Sequence, residues 1–251
     1  MDALKENGLK NILKSFNGVR EESNEHCKME KLQEQFCSLA KELLYGGYFL
    51  IDGKTRICLD DIEFYYHEEG EGGFKDPIMY HTNDHEGKEI PYFEIGRLNL
   101  HISGVDVTFE NEEKKYRASF LIRGFHVEND DKPYNPYSTQ IENYDPCSTH
   151  IYDKMLYMGV PLDRAIEIEW VTNDLPDMNT YKPIADKRYN VVAKEHFIKN
   201  AKNKYEKRPL DEEVPLPLNK DEFISGSSGK VYRRCTRQWR FYKAGINIKN
   251  K

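Results

Sequence analysis

Residues 48–67 read YFLIDGKTRICLDDIEFYYH. Two runs rich in β-branched and aromatic residues flank an Asp-Gly pair. That dipeptide takes the positive backbone angles of a tight hairpin turn more readily than almost any other. The stretch therefore predicts a short strand over 48–51, a turn at Asp52-Gly53 and a return strand over 54–67. Alternation along the return strand separates two faces. Ile62, Phe64 and Tyr66 point one way, toward a core. Glu63, Tyr65 and His67 point the other way, toward a cleft or solvent.

The same reading extends along the chain. Residues 1–29 are polar, with LKNILKSF as a short helical candidate, and read as a mobile arm or a docking helix. In residues 30–44, Leu32, Phe36, Leu39, Ala40, Leu43 and Leu44 fall on one stripe, which predicts a helix closed by Gly46 and Gly47. The 68–74 loop is acidic. Strands are expected over 97–102 (Leu98, Leu100 and Ile102 inward), 105–110, 116–128 and 164–171. Helices are expected over 148–160 and, as a basic helix, over 189–208; residues 209–222 read as a linker and 225–230 as a loop. Hairpins kept apart from helices indicate an α+β fold with a mainly antiparallel, curved sheet and packed helices, not alternating βα units. Residues 30–251 are taken as one domain behind an N-terminal arm, 1–29.

With 12% aromatics, including 17 tyrosines, most of the chain should fold. Net charge is −6, yet residues 181–251 hold 18 Lys and Arg against 8 Asp and Glu. A basic segment on an acidic body offers a local phosphate-binding surface or a solvated charged tail. Five cysteines at wide spacing, with no CxxC pair, do not form a disulfide framework or a zinc finger. No stretch reads as a secretory signal or a membrane span, so the expected setting is cytoplasmic, without a membrane partner.

Arg123 lies among Leu121, Ile122 and Phe125. A buried arginine in such a strand needs a carboxylate or several carbonyls. Glu63 is the natural partner if both face the same side of one sheet. Such a pair orients a carboxylate that can take a proton from water. Tyr65 and His81 would offer flat faces to a planar ligand, with Asp76 nearby. The plain alternative is a structural Glu–Arg pair in a tyrosine-rich sheet. His81 and His85 in HTNDH stand at i and i+4, but Asn83-Asp84 favours a turn and the glutamate of a zinc-protease motif is absent, so no metal site is expected there. His101 and His126 read as strand or surface histidines, and Cys235 is assigned no chemistry.

LAKELLYGGYFLIDGKTRICLDDIEFYYH resembles the opening of the methylpurine-DNA glycosylase family, the alkyladenine type of 3-methyladenine DNA glycosylase. There a helix ending Leu-Leu-Gly and a strand precede a strand with a Glu-Ala-Tyr core, which here reads Glu63-Phe64-Tyr65. The family's following Asp and His would be Asp76 and His81, with His85 as the competing position. SFLIRGF resembles its arginine-bearing strand and places Arg123 at the key arginine, and CTRQWRFY resembles its closing stretch. These landmarks keep the family's order over roughly residues 38–243.

The resemblance implies excision of an alkylated purine from DNA, damaged duplex or single-stranded, by hydrolysis of its N-glycosidic bond during base excision repair. Glu63 would activate the water, Arg123 would hold both, and Tyr65, His81 and Asp76 would bind the base. No metal or organic cofactor is implied. Arg233, Arg234, Arg237 and Arg240 are the candidates for nucleic-acid contacts. The chain departs from the family at Ser103-Gly104, where a Tyr-Gly wedge is expected, in the length of the 64–80 loop and in the insert at 133–146. A non-catalytic nucleotide-, nucleic-acid- or protein-binding descendant of the same fold is the alternative function.

Overall fold

The computed structural model describes residues 8–76, 79, 81–101, 104–128, 165–173, 177–188, 192–193, 195–199, 205–209, 222–225, 231–234 and 237–246. The expected helix at 148–160, the insert at 133–146, Ser103, Cys147 and Cys235 lie outside them, as do the side chains of His101, Arg233 and Arg234.

The fold is α+β, with a curled antiparallel sheet and few helices. Helix α1 (Gly8–Lys14) and helix α2 (Glu25–Tyr45) lead into strands β1 (Gly47–Ile51) and β2 (Thr55–Glu68). A single-turn helix α3 (Asn83–Glu86) precedes β3 (Leu98–His101), β4 (Gly104–Thr108) and β5 (Tyr116–Glu128). Then follow β6 (Ile168–Thr172), β7 (Ile184–Asp186), β8 (Val192–Ala193), β9 (Glu195–Lys199), β10 (Tyr205–Pro209), β11 (Glu222–Ser225), β12 (Val231–Arg234) and β13 (Arg240–Tyr242).

The main sheet runs β3-β4-β5-β2-β1-β6. Strand β2 organises it: β5 pairs along one edge, and the other edge is divided between β1 near its start and β13 further on. At the hairpin tip Asp52 and Gly53 have φ of 50° and 65°, and the Lys54 N–H donates to the Ile51 carbonyl at 3.0 Å. This is the turn that Asp-Gly predicts.

Helix α2 begins where the Asn24 side chain accepts from the Cys27 N–H at 2.8 Å, five residues earlier than its apolar stripe indicates. The stripe from Met29 to Leu44 is buried against the sheet. Each such side chain contributes about 1.5–3 kcal/mol of burial. The glycines at the C-terminal end of α2 act differently from expectation. Gly46 is right-handed (φ −80°). A Cβ on Gly47 would sit 2.4 Å from the Val171 carbonyl oxygen, so the residue is small to let β6 approach.

The N-terminal segment is packed, and the expected boundary at 29/30 falls inside α2. Leu9, Leu13, Phe16 and Val19 are buried in the same core as the sheet. Phe16, Phe36 and Phe64 form a column, stacked with centroids 5.4 and 4.6 Å apart, with Tyr66, Phe109, Tyr116 and Trp239 edge-on around it.

Two expectations fail. Leu100 is not inward but 63% exposed, because β3 is an edge strand that extends beyond the core. Where a basic helix was expected over 189–208, the described residues form strands: β8, then β9 and β10 paired antiparallel. Among the described residues, no helix is long and apolar enough to cross a membrane.

Candidate functional site

Along β2 the buried apolar positions fall at Ile57, Leu59, Ile62, Phe64 and Tyr66. The step from 59 to 62 is three residues, and there the register with β5 slips. An extra residue in a strand shifts the alternation by one. Before the slip Cys58 and Asp60 lie opposite the core face; after it Asp61, Glu63, Tyr65 and His67 do. One face of β2 thus carries an acid-rich row that is buried.

Each acid in the row has a cation. Asp60 accepts from Lys243 Nζ at 2.8 Å and lies 2.6 Å from His126 Nδ1. Asp61 accepts from Arg240 Nε and Nη2, at 3.0 and 2.5 Å. Burial pushes the Asp61 carboxyl above its ordinary value, partly offset by Arg240. Glu63 accepts from Arg123 Nε at 3.2 Å through one oxygen and from Nη2 at 2.8 Å through the other. Arg123 starts two residues beyond Leu121, the cross-strand partner of Glu63, and reaches back to it. Burial opposes the Arg123 charge, but Glu63, Tyr65 and Asp61 outweigh it and raise the pKa. The Tyr65 hydroxyl donates to the Glu63 oxygen that also receives Nη2. Burial first, and then the Glu63 charge, push the Tyr65 hydroxyl well above its ordinary range. Glu63 is 0% exposed, whereas the Arg123 side chain is 22% exposed. The structure therefore brings Glu63, Tyr65 and Arg123 together, with Arg123 as the solvent-facing member.

Other expected members are elsewhere. Asp76 is buried and clamped by Arg188, with Nη1 at 2.6 Å and Nη2 at 3.1 Å, while Arg237 Nη1 lies 3.5 Å away. Burial works against its charge, but the two guanidiniums hold the carboxyl below its usual range. Asp76, expected beside the base, is thus tied into a buried arginine clamp. Arg188 also lies 4.9 Å from the Tyr65 ring centroid, so it covers one of the ring faces expected for stacking.

His81 is stacked on Phe93, with centroids 3.7 Å apart. Its Nε2 is 3.2 Å from the Pro91 carbonyl oxygen and 3.9 Å from Glu110. It belongs to a second cluster, built by Arg117. That side chain donates to Glu69 through Nε, to Glu110 at 3.0 Å and to the Ile90 and Pro91 carbonyls at 2.7 and 2.9 Å. His85 lies in α3, capped by Thr82.

Arg237 and Arg240 are buried beside Asp76 and Asp61, so they are not the exposed phosphate contacts expected from RRCTRQWR. A strand-borne arginine inside a sheet is drawn to the nearest buried carboxylate, because an unpaired buried charge is far more costly. Glu68 and Glu69 likewise face inward, bound by Lys28, Tyr66 and Arg117. Sequence reasoning missed Arg117 and Arg188. For Arg117 the signal was present, since it sits between Tyr116 and Ala118 at the start of β5 just as Arg123 sits among apolar neighbours.

Arg117 serves two acids, and Glu110 is the one left short. Burial pushes its carboxyl up to about 7, against the pull of the Phe93 N–H and Arg117. The native state therefore holds this proton between the unfolded value, roughly 4.5, and about 7, where the unfolded chain has lost it. Stability should fall as pH rises through that window and should level off above it. Glu110→Gln should flatten the profile by about 3 kcal/mol at most, read by denaturant unfolding at a series of pH values. A slope identical to wild type would refute the assignment.

His67, Glu69 and Asp84 bring ligand-type atoms within 4.8 Å of one another. They do not fit a metal. His67 Nδ1 accepts the Asp76 N–H at 3.2 Å, which puts the ring proton on Nε2, and Nε2 is directed at Asp84 Oδ2, 3.2 Å away. The nitrogen facing the acids is thus a donor and has no lone pair to give. Lys75 already lies 3.1 Å from Asp84. No family model, curated protein or solved structure matches the chain.

Proposed function

We propose that the protein hydrolyses the N-glycosidic bond of a modified purine in DNA, with Glu63 as the base that activates water, on a fold of the methylpurine-DNA glycosylase kind. One observation carries the reading. A carboxylate on the central strand is gripped at both oxygens by an arginine from the neighbouring strand, with a tyrosine hydroxyl on the same group. An oriented carboxylate beside a fixed cation suits deprotonation of a water aimed at the sugar carbon. The water oxygen bonds to that carbon, Glu63 takes the proton, and the base leaves with the electron pair of the broken C–N bond. An alkylated purine leaves as a neutral molecule and needs little acid assistance. The reading requires that Tyr65 or Arg123 yield to a water when substrate binds, since Glu63 is covered in this structure.

Incubation with alkylated duplex and single-stranded DNA should release free base, detected chromatographically. Release from neither substrate would remove the proposal. The second reading is a non-catalytic descendant that binds a purine nucleoside or nucleotide. The complete burial of Glu63 and the inward pairing of Arg237 and Arg240 favour it. Calorimetric binding of nucleosides without base release would support that alternative.

A further inference from the structure

Upstream of the register slip, β2 and β5 carry a cluster that the hydrolytic reading leaves unused. Cys58 and His126 face each other directly across the two strands, and Glu128 is two residues further along β5 on the same face as His126. Along the strand, Cys58 is about 16 Å from Glu63 at roughly 3.3 Å per residue.

A sulfur, an imidazole nitrogen and a carboxylate oxygen from these three residues all lie within 4.8 Å of one another. The imidazole is already oriented. Its Nδ1 is 2.6 Å from Asp60 Oδ2, and Asp60 is itself fixed by Lys243. Its Nε2 lies 3.6 Å from Glu128 Oε1. A carboxylate on the far nitrogen is the usual support of a metal-bound histidine, fixing the ring and making it a better donor. The other Glu128 oxygen, Oε2, is buried with no hydrogen-bond partner among the described residues.

We propose that Cys58, His126 and Glu128 form a site for a divalent transition metal ion of the zinc class, with Asp60 as the outer carboxylate on His126. The donor set is the mixed thiolate, imidazole and carboxylate set that zinc accepts. Bond lengths of about 2.0–2.3 Å in a tetrahedron place ligand atoms roughly 3.3–3.7 Å apart. The 3.6 Å between Nε2 and Oε1 already meets this spacing. The other separations, within 4.8 Å, need only a small contraction.

The Cys58 side chain is buried, while His126 is 12% and Glu128 18% exposed, so a cation and a water as fourth ligand approach from the glutamate side. Arg56, opposite Glu128 in the register, has its guanidinium 5.2 Å from the Tyr48 ring centroid. A metal ion would take the place of the Nε2 proton and of the thiol proton, releasing both.

The test is titration of the full chain, stripped with chelator, with Co2+ at neutral pH. One equivalent should produce a near-ultraviolet thiolate-to-cobalt charge-transfer band, and Zn2+ should abolish it. Cys58→Ser should lose the band, whereas a band persisting in that variant would place the metal at another cysteine and overturn the proposal. Absence of a band in the wild-type protein would overturn it too. Since Cys58 is buried and its replacement can impair folding, Glu128→Gln provides an independent check at a partly exposed position. With far-ultraviolet circular dichroism unchanged, its Co2+ affinity should fall about tenfold or more, and unchanged affinity would refute the site.

Discussion

Asp76→Ala is expected to destabilise the fold by about 3–5 kcal/mol, the range for removing one partner of a buried ion pair. Asp76 receives two hydrogen bonds from Arg188 and lies beside Arg237, and all three side chains are buried. Alanine would remove the buried carboxylate that two interior guanidiniums share. Total stability in domains is about 5–15 kcal/mol, so the loss is a large fraction of it. At this chain length each kcal/mol shifts the midpoint by roughly 2–4 °C, which predicts a drop of about 6–20 °C in thermal unfolding. Asp76→Asn keeps the shape and an acceptor and should fall between the two. An alanine variant with an unchanged midpoint that had lost base release would return Asp76 to the substrate pocket.

Glu63→Gln is expected to reduce base release by about 10²–10⁴-fold, the usual contribution of a positioned general base. The amide retains one oxygen to accept from Arg123 or Tyr65, but it cannot take a proton from water. Its midpoint should move less than that of Asp76→Ala, because only one guanidinium loses a charged contact and that one reaches solvent. Rate and stability therefore separate: a large loss of activity with a modest loss of stability is the signature of a reacting group. Arg123→Lys gives a companion measurement, since an ammonium cannot hold both oxygens as the guanidinium fork does. Base release within tenfold of wild type in Glu63→Gln would end the assignment of Glu63 as the base.

What the sequence reveals is whatever local periodicity encodes. Helix α2, the hairpin at Asp52-Gly53 and the full extent of β5 are legible because a stripe, a turn dipeptide and an alternation each span a few neighbouring residues. The Glu63–Arg123 pair follows from one question about how a buried arginine is satisfied. The slip at Asp60-Asp61 was also visible, as the three-residue step from Leu59 to Ile62, although it passes unnoticed when alternation is read only from Ile62 onward. The β9–β10 pair is not legible. Its segment is rich in helix-favouring Lys, Glu and Ala, and pairing between strands overrides propensity. The clamp on Asp76 is not legible either, because residues 76, 188 and 237 meet only once β7 and β13 have closed on β2.

That closure has a consequence for how the molecule forms during translation. Asp60 and Asp61 of the row, and Asp76 beyond it, emerge from the ribosome more than a hundred residues before the cations Arg188, Arg237, Arg240 and Lys243 that pair with them. A nascent chain that has made its first hairpin thus carries carboxylates it cannot yet bury, and this face of the sheet must stay hydrated until residues 237–243 have been made. Such distant pairings make for slow folding and leave a partly made chain exposed to aggregation. Strand β13 acts as a latch: before it arrives this edge of β2 is open, and afterwards it is paired.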